Sequence, residues 1–547
     1  MTENKKQGNY IYDAFLKGDD FMNRNSMYSN AKRAVRFYEG EQWHDENQKD
    51  WRKLPFYNFI RPIVDYKTAM VAKNTMVLNY SPLNFSPDPE QAAAFREQCA
   101  DLNRYITDKW EELEMDTVMW ALVKKAAITG DAYLYFGTSD MLPQILDSTN
   151  VFLADEQEPD IQRQAHIIIR ERRSVEDVRK DARAAGLDEA ARSLIVADEP
   201  RDQINNESNE VRSESGKVTS YLFLSRSEAG FVTFARATAT VVYQPEVEVT
   251  GMERYPVAAF VWNRRYNSAR GIGEVLPLIP NQIAVNRLLL RREVNNKQTG
   301  YAHPVYHKDF ITNPEALERV GAKVAISGGS MVQDVAKAFT YIQPAPMSSD
   351  GERLQNEIIQ VSRNLANASD EATGNVNPEK ASGKAISLVI DQNAVMLTEQ
   401  SAMFKQLCEN VGLIWFNIFQ IYNPNGLRLA WSDELGGRQE IELGGEELRA
   451  LKVRVRIDVS SNNPWSVYAN DQEAMNLFGN GFIDFAQYVE LLSDQNHMKP
   501  KLQEFVRAAE EQARPELPSA EAVPLELPPG LDMQSMIGGG RDALPAV

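Results

Sequence analysis

YPVAAFVWNRRYNSARGIGEVLPLIPNQIAVNRLLL, residues 255–290, carries a buried-type strand (257–262) into a helix, and the way that junction is read decides the fold. The helix is predicted from about Pro280 to Gln298, with Ile283, Leu288, Leu289, Leu290 and Val294 as its apolar content. Gly271 and Gly273 match part of a dinucleotide fingerprint, but the third glycine is missing, so a tight strand-to-helix turn is expected instead. From Gly300 to Ser349 the chain is mixed, with short β-like runs in VYHKDF, KVAISGGSMV and FTYIQP. It then turns helical again in DGERLQNEIIQVSRNLANASD, where Leu354, Ile358, Val361 and Leu365 share one face. Two helices thus bracket a small β-containing insert.

Upstream, apolar residues recur at helical spacings from Gln91 to Ile128, with Gly130 as the stop. From Ala132 to Val249 the period shortens to that of strands, in AYLYFG, QILDSTNVFLAD, HIIIRER and the pair YLFLSRSEAGFVTFARATATVVY. A small helix interrupts them, opened by Ser174 with Asp177 three residues on as a variant capping box. Between Ala197 and Lys217 the chain is polar and reads as a surface excursion. Downstream, Ala385 to Tyr422 is apolar at three- and four-residue steps with no proline before Pro424, which predicts one helix of roughly 55 Å. In LKVRVRIDVSS, Val453, Val455, Ile457 and Val459 alternate with charged residues, as in a strand with one buried face.

The 547 residues carry 59 Lys and Arg against 77 Asp and Glu, a net charge of −18, which argues against a protein that neutralises nucleic-acid phosphates over a broad surface. Cys99 and Cys408 are the two cysteines, too few for a disulfide framework or a cysteine-rich metal site. The polar start MTENKKQGNYIY has no signal-peptide core, and the most hydrophobic run, VGLIWFNIFQIY, is too short for a membrane span. The expectation is a soluble chain made in a cytoplasm, with no membrane partner.

The motifs that would carry chemistry are incomplete. EATGNVNPEKASGKAIS, residues 371–387, contains Gly383-Lys384, but a phosphate loop needs a glycine where Pro378 stands and a hydroxyl where Ala385 stands. His303 and His307 are four apart around Pro304 without an HExxH pattern, and no GxSxG elbow is present. The expectation is a protein that is not an enzyme, with no cofactor, no metal and no catalytic residue. One charge pattern stands out. Residues 264–300 hold seven basic residues against two acidic, and residues 350–371 two basic against five acidic, so the two helices would attract each other if side by side. The candidates, within one subunit or between subunits, are Arg287, Arg291, Arg292, Lys297, Glu352 and Glu357, the alternative being two independently solvated helix faces.

The order of motifs resembles the portal proteins of tailed double-stranded DNA bacteriophages. RFYEGEQW (36–43), PFYNFIRPIVDYKTAMVAKN (55–74) and NYSP (79–82) are similar to the portal N-terminal pattern, and YPVAAFVWNRRYNSARGIGEV to the approach to the stem. ASGKAIS follows a Gly/Asn/Pro loop, and NNPWSVYANDQEAMNLFGNGFID is similar to the segment beyond the wing in several portal lineages. The resemblance implies an α+β, portal-type fold with a mixed α/β wing (1–263 and 425–463) and a helical stem hairpin (264–299 and 350–369) around a small α/β clip (300–349). It further implies a tunnel loop (370–385), a long wing-crossing helix (386–424), an α-helical crown (464–514) and a flexible Pro/Gly-rich tail (515–547).

Functionally, it implies a dodecameric ring at the unique capsid vertex of the virion, assembled in the host cytoplasm, through which DNA is packaged and ejected. The implied partners are the terminase large subunit, head-completion or adaptor proteins, scaffolding protein, major capsid protein and passing double-stranded DNA. Asn375, Asn377, Lys380 and Lys384 would then face the channel, the lysines either touching DNA backbone or pairing with acids such as Glu379. The competing readings are a packaging NTPase or nuclease, or another ring-forming virion adaptor.

Overall fold

The structure is a computed structural model. It describes residues 9–43, 54–72, 76–83, 89–137, 140–198, 216–299, 303–306, 308–319, 321–327, 339–342, 349–368, 395–432, 438–459, 474–479, 481, 483–492, 498–499, 501–503 and 505–506. The chain divides into two units, 1–462 and 463–547. It is a mixed, α+β protein in which every strand pairing among the described residues is antiparallel.

Unit 1 begins with α1 (Tyr10–Arg24), α2 (Met27–Glu39) and α3 (Ile60–Ala72), followed by strand β1 (Met76–Pro82). Gly40, at φ +102°, ends α2 by returning its N–H to Arg36 O, a left-handed cap that glycine adopts without steric cost. The single helical pattern expected over 91–128 is two helices, α4 (Pro89–Glu112) and α5 (Met115–Thr129). They break where Glu114 takes a left-handed φ of 49°, and α5 stops at Gly130 with φ +117°.

Strands β2 (Asp131–Phe136), β3 (Pro143–Asp147) and β4 (Val151–Leu153) follow, then β5 (His166–Ser174). Ser174 caps α6 (Val175–Ala184) by accepting from Asp177 N at 3.1 Å, as its spacing predicts, and the short α7 (Glu189–Ser193) comes next. Strands β6 (Lys217–Arg226), β7 (Val232–Ala237) and β8 (Val242–Glu248) complete a five-stranded sheet of order β4-β5-β6-β7-β8. Both faces of this sheet are covered, so its central strands are apolar at consecutive positions. Ile167, Ile169, Leu222 and Leu224 point to one core, while Ile168, Tyr221 and Phe223 point to another built with Ile11, Phe15 and Met22 of α1.

Strand β9 (Val257–Val261) joins β3 and β2 in a second sheet, and β10 (Asn263–Arg264) with β11 (Gly271–Ile272) forms the turn into α8 (Val275–Thr299). The helix starts five residues before the expected Pro280. Pro277 sits in its first turn, where a backbone N–H has no intrahelical acceptor to lose. Strands β12 (His303–Tyr306) and β13 (Phe339–Ile342) pair across the insert, and α9 (Asp350–Leu365) returns alongside α8.

α10 (Thr398–Tyr422) is the part of the expected long helix that the structure describes. It starts after a turn at 396–397, is 25 residues long and so spans about 37 Å, and the segment 369–394 lies outside the described residues. Strands β14 (Gly426–Ser432) and β15 (Arg438–Gly444), helix α11 (Gly445–Ala450) and strand β16 (Val453–Val459) close unit 1. β16 pairs with β1, register Tyr80↔Val455, which brings the two ends of the unit into one sheet. Val453, Val455 and Ile457 face the main core while Arg454 and Arg456 are exposed. In unit 2, Asp484 caps α12 (Phe485–Leu491), and Phe478 stacks on Tyr488 at 5.1 Å.

Candidate functional site: the paired helices and their root

The strand-to-helix junction is held by three glycines and one arginine. A Cβ on Gly271 would lie 2.1 Å from Gly130 O, and one on Gly273 would lie 2.2 Å from Ile128 O, so backbone meets backbone here with no room for a side chain. This is the expected tight turn, and the space a dinucleotide pyrophosphate needs beside such glycines is filled by the protein's own main chain. Arg270, fully buried, fills the centre. Its guanidinium bonds Glu156 through Nε (2.8 Å) and Nη2 (2.9 Å), Asp131 at 3.3 Å, Tyr133 Oη at 3.2 Å, and the carbonyls of Ser148 and Val151. Burial works against the cation, but the facing Tyr133, Glu156 and Asp131 outweigh it and hold its pKa above the ordinary guanidinium value. Burial raises the Asp131 carboxyl, with Arg270 opposing. One arginine thus locks β2, β4 and the lead-in to α8 together.

Beside it, Glu274 accepts from Trp262 Nε1 at 2.9 Å and pairs with the buried Lys67 at 2.8 Å. A turn further along α8, a chain of buried amides ties the helix to the N-terminal motifs. Gln42 Nε2 donates to Phe37 O, Asn286 Nδ2 to Gln42 Oε1 (2.6 Å), and Gln282 Nε2 to Asn286 Oδ1 (3.0 Å) and Tyr57 O (2.7 Å). Phe59 N and Tyr57 N in turn donate to Gln282 and Asn286. EGEQW and PFYNF are therefore the socket of α8.

Beyond the socket, α8 and α9 run antiparallel. Asn281 Nδ2 donates to Ser362 Oγ at 2.9 Å, and Arg292 donates to Gln355 Oε1 at 3.1 Å and pairs with Glu352 at 3.4 Å. Of the six candidate charges, these two meet across the hairpin, at partly exposed positions where a pair contributes roughly 0–1 kcal/mol. Lys297 pairs instead with Glu293 of its own helix at 2.6 Å. Arg287, Arg291 and Glu357 are exposed, and Arg291 and Glu357 form no ion pair among the described residues. Asn375, Asn377, Lys380 and Lys384 lie outside the described residues, as does His307.

The polarity of α9 departs from the expected one. Its buried positions are polar, Gln355 (6 % exposed) and Ser362 (0 %), while Leu354 (48 %), Val361 (48 %) and Leu365 (75 %) of the expected apolar face are exposed. Ile358 packs, partly buried, against the core. Val294 of α8 is likewise 45 % exposed. Part of the hairpin's apolar surface, Leu354, Val361 and Leu365 of α9 and Val294 of α8, thus faces outward in the single chain.

Among the described residues no group of three or more His, Cys, Asp and Glu stands together as metal ligands do, and no helix is long and apolar enough to cross a membrane. The chain matches none of the protein-family models and none of the curated proteins with which it was compared.

Proposed function

We propose that the chain is the repeating subunit of a portal ring, a channel at the unique capsid vertex through which double-stranded DNA enters and leaves. The observation that carries this reading is the inverted polarity of α9. A helix that buries Gln355 and Ser362 against its hairpin partner and exposes Leu354, Val361 and Leu365 has its apolar stripe placed for another subunit. Covering what remains exposed of each such side chain would stabilise an assembly by roughly 1 kcal/mol, and a ring multiplies that contribution.

In this reading 264–299 and 350–369 are the stem, 300–349 the clip, 1–263 and 425–463 the wing, 370–385 the tunnel loop and 386–424 the long wing-crossing helix. The clip would dock the terminase large subunit and later the head-completion or adaptor proteins, while scaffolding and major capsid proteins would surround the ring. The net charge of −18 suits a conduit that DNA passes without sticking, and Lys380 and Lys384 would give brief, sequence-independent backbone contacts. Energy for transport would come from a separate motor, since the chain itself is read as non-catalytic.

Negative-stain microscopy of the purified full chain tests the proposal: the expected particle is a ring of about twelve subunits with an axial hole. Monomers under all assembly conditions, or closed particles without a hole, overturn it. A Lys380→Ala/Lys384→Ala ring that packages and retains genome normally would remove the assignment of those lysines.

A further inference from the structure

Strand β9 is the edge of its sheet, and its open side forms the back of a cleft of about 580 Å³. The register fixes which backbone groups face the opening. Trp262 N donates to Gly130 O and Phe136 N to Pro256 O, each at 2.9 Å, so the even-numbered residues hydrogen-bond to β2 and the odd-numbered ones point outward. At one end this outward edge is already satisfied by a side chain acting as a strand would. The Gln162 amide accepts from Tyr255 N at 2.9 Å and donates to Tyr255 O at 3.0 Å and Val257 O at 3.3 Å. Past Val257 the pairing stops. Ala259 and Val261 line the cleft, and no strand pairs with them on that side among the described residues.

The lining carries four arginines, Arg163, Arg226, Arg254 and Arg264, against three acids, Glu158, Asp160 and Glu253. Arg226 lies over the Tyr255 ring at 4.8 Å, and it spends its donors on the carbonyls of Gly230, Glu253 and Gln162. Arg254, half-buried, and Arg264, exposed, place their guanidinium groups in no ion pair and no hydrogen bond among the described residues. Burial lowers the Arg254 pKa, with Asp160 opposing. Of the lining acids, Asp160 caps Gln162 N and pairs with Arg163, Glu158 accepts from Asp160 N, and Glu253 is exposed beside Arg254. The opposite wall is α10, with Met403 and Leu407 as apolar floor.

A strand edge between a helix and a row of arginines is the geometry of peptide capture by strand addition, in which main-chain bonds give affinity and side-chain pockets give selectivity. We infer that this cleft binds an extended acidic segment of a separate partner protein, added as a strand to β9 beyond Gln162. The segment's carboxylates would meet Arg226, Arg254 and Arg264, and its small apolar residues would lie against Met403 and Leu407. Charge complementarity selects this occupant: the lining arginines outnumber its acids by four to three, and among the described residues Arg254 and Arg264 form no ion pair and no strand pairs with Ala259 and Val261 on the open side.

The test is fluorescence anisotropy with the full chain and a labelled peptide alternating glutamate and valine. Binding is expected, with no binding of the lysine–valine counterpart. Methylating alternate peptide nitrogens, which removes ladder donors and keeps the charge, should weaken binding by about tenfold or more. The double variant Arg254→Gln/Arg264→Gln, checked for native circular dichroism, should lose about as much. Absence of binding overturns the inference. An arginine effect without an N-methyl effect reduces the cleft to a charged patch and overturns strand addition. Dissociation of oligomers of the chain itself by the double variant would put a second copy in the cleft, and so overturn the assignment to a separate partner. The peptide-binding outcomes do not depend on whether rings form.

Discussion

Asn286 on α8 donates its side-chain amide to Gln42 Oε1 at 2.6 Å, joining residues 244 positions apart at a buried point where helix and socket meet. Removing the amide while keeping the volume, as in Asn286→Leu, strands Gln42 Oε1 and the Tyr57 N–H without partners. The expected loss is about 2–3 kcal/mol, seen as a lower first transition in scanning calorimetry. Hydrogen exchange should show Tyr57 and Phe59 amides losing protection first.

Arg270→Met leaves Asp131 and Glu156 buried without their cation, which should cost about 3–5 kcal/mol in denaturant titration. Adding Asp131→Asn and Glu156→Gln to that variant should recover part of the loss. If the triple variant is no better than the single one, the cost lies in packing and not in uncompensated charge.

Gly273→Ala forces a methyl group against the Ile128 and Ala127 carbonyls, at 2.2 and 2.9 Å. Backbone must shift, so destabilisation of about 3 kcal/mol is expected, at the upper end for overpacking. Gly186→Ala, a control at a glycine with nothing within 4 Å but a φ of +81°, should cost less, about 1 kcal/mol of left-handed strain.

Leu354→Glu/Val361→Glu tests the exposed stripe of α9. Both side chains are about half exposed in the single chain, so the melting temperature of the monomer should change little. Sedimentation should show the variant failing to assemble where the parent does. A double variant that assembles like the parent would move the subunit interface elsewhere.

His166 stacks on Phe223 with ring centroids 5.1 Å apart, and burial, reinforced by Lys17, lowers its pKa below the ordinary 6.5. The unfolded chain therefore takes up a proton at higher pH than the folded one. Stability from this group is full above 6.5 and is lost as pH falls from there towards the depressed folded pKa. His166→Gln should flatten that part of a plot of melting temperature against pH, and an unchanged slope would assign it to other groups.

Much of this was legible in local pattern. The helix–insert–helix order, the Ser174 cap and the alternation of Val453, Val455 and Ile457 depend on near neighbours in sequence, and the structure has them. Other features depend on what a residue meets far away. The periodicity from Gln91 to Ile128 runs through Glu114 without a glycine or proline to mark the break that the structure makes there. Arg270 looks like Arg264 and Arg265 in sequence, and its two acids lie 114 and 139 positions upstream. Arg292 meets Glu352 across the hairpin, a pairing that the charge counts alone do not single out, while Lys297 finds a carboxylate one turn back on its own helix, a nearer partner with less chain to order. The spacing on α9 marks its stripe as apolar, and nothing in that spacing says whether the covering surface belongs to the same chain.

The β1–β16 ladder sets a clock on synthesis. Ser81 and its partner Arg454 are 373 residues apart, so β1 leaves the ribosome long before the strand that covers its edge exists. At ordinary translation speeds that gap is on the order of tens of seconds, far longer than helices and hairpins need to form. During it, β1 is an unpaired edge. A nascent chain stalled anywhere before residue 453 offers that edge to other chains, so aggregation of truncated products should be abrupt, vanishing once β16 is complete.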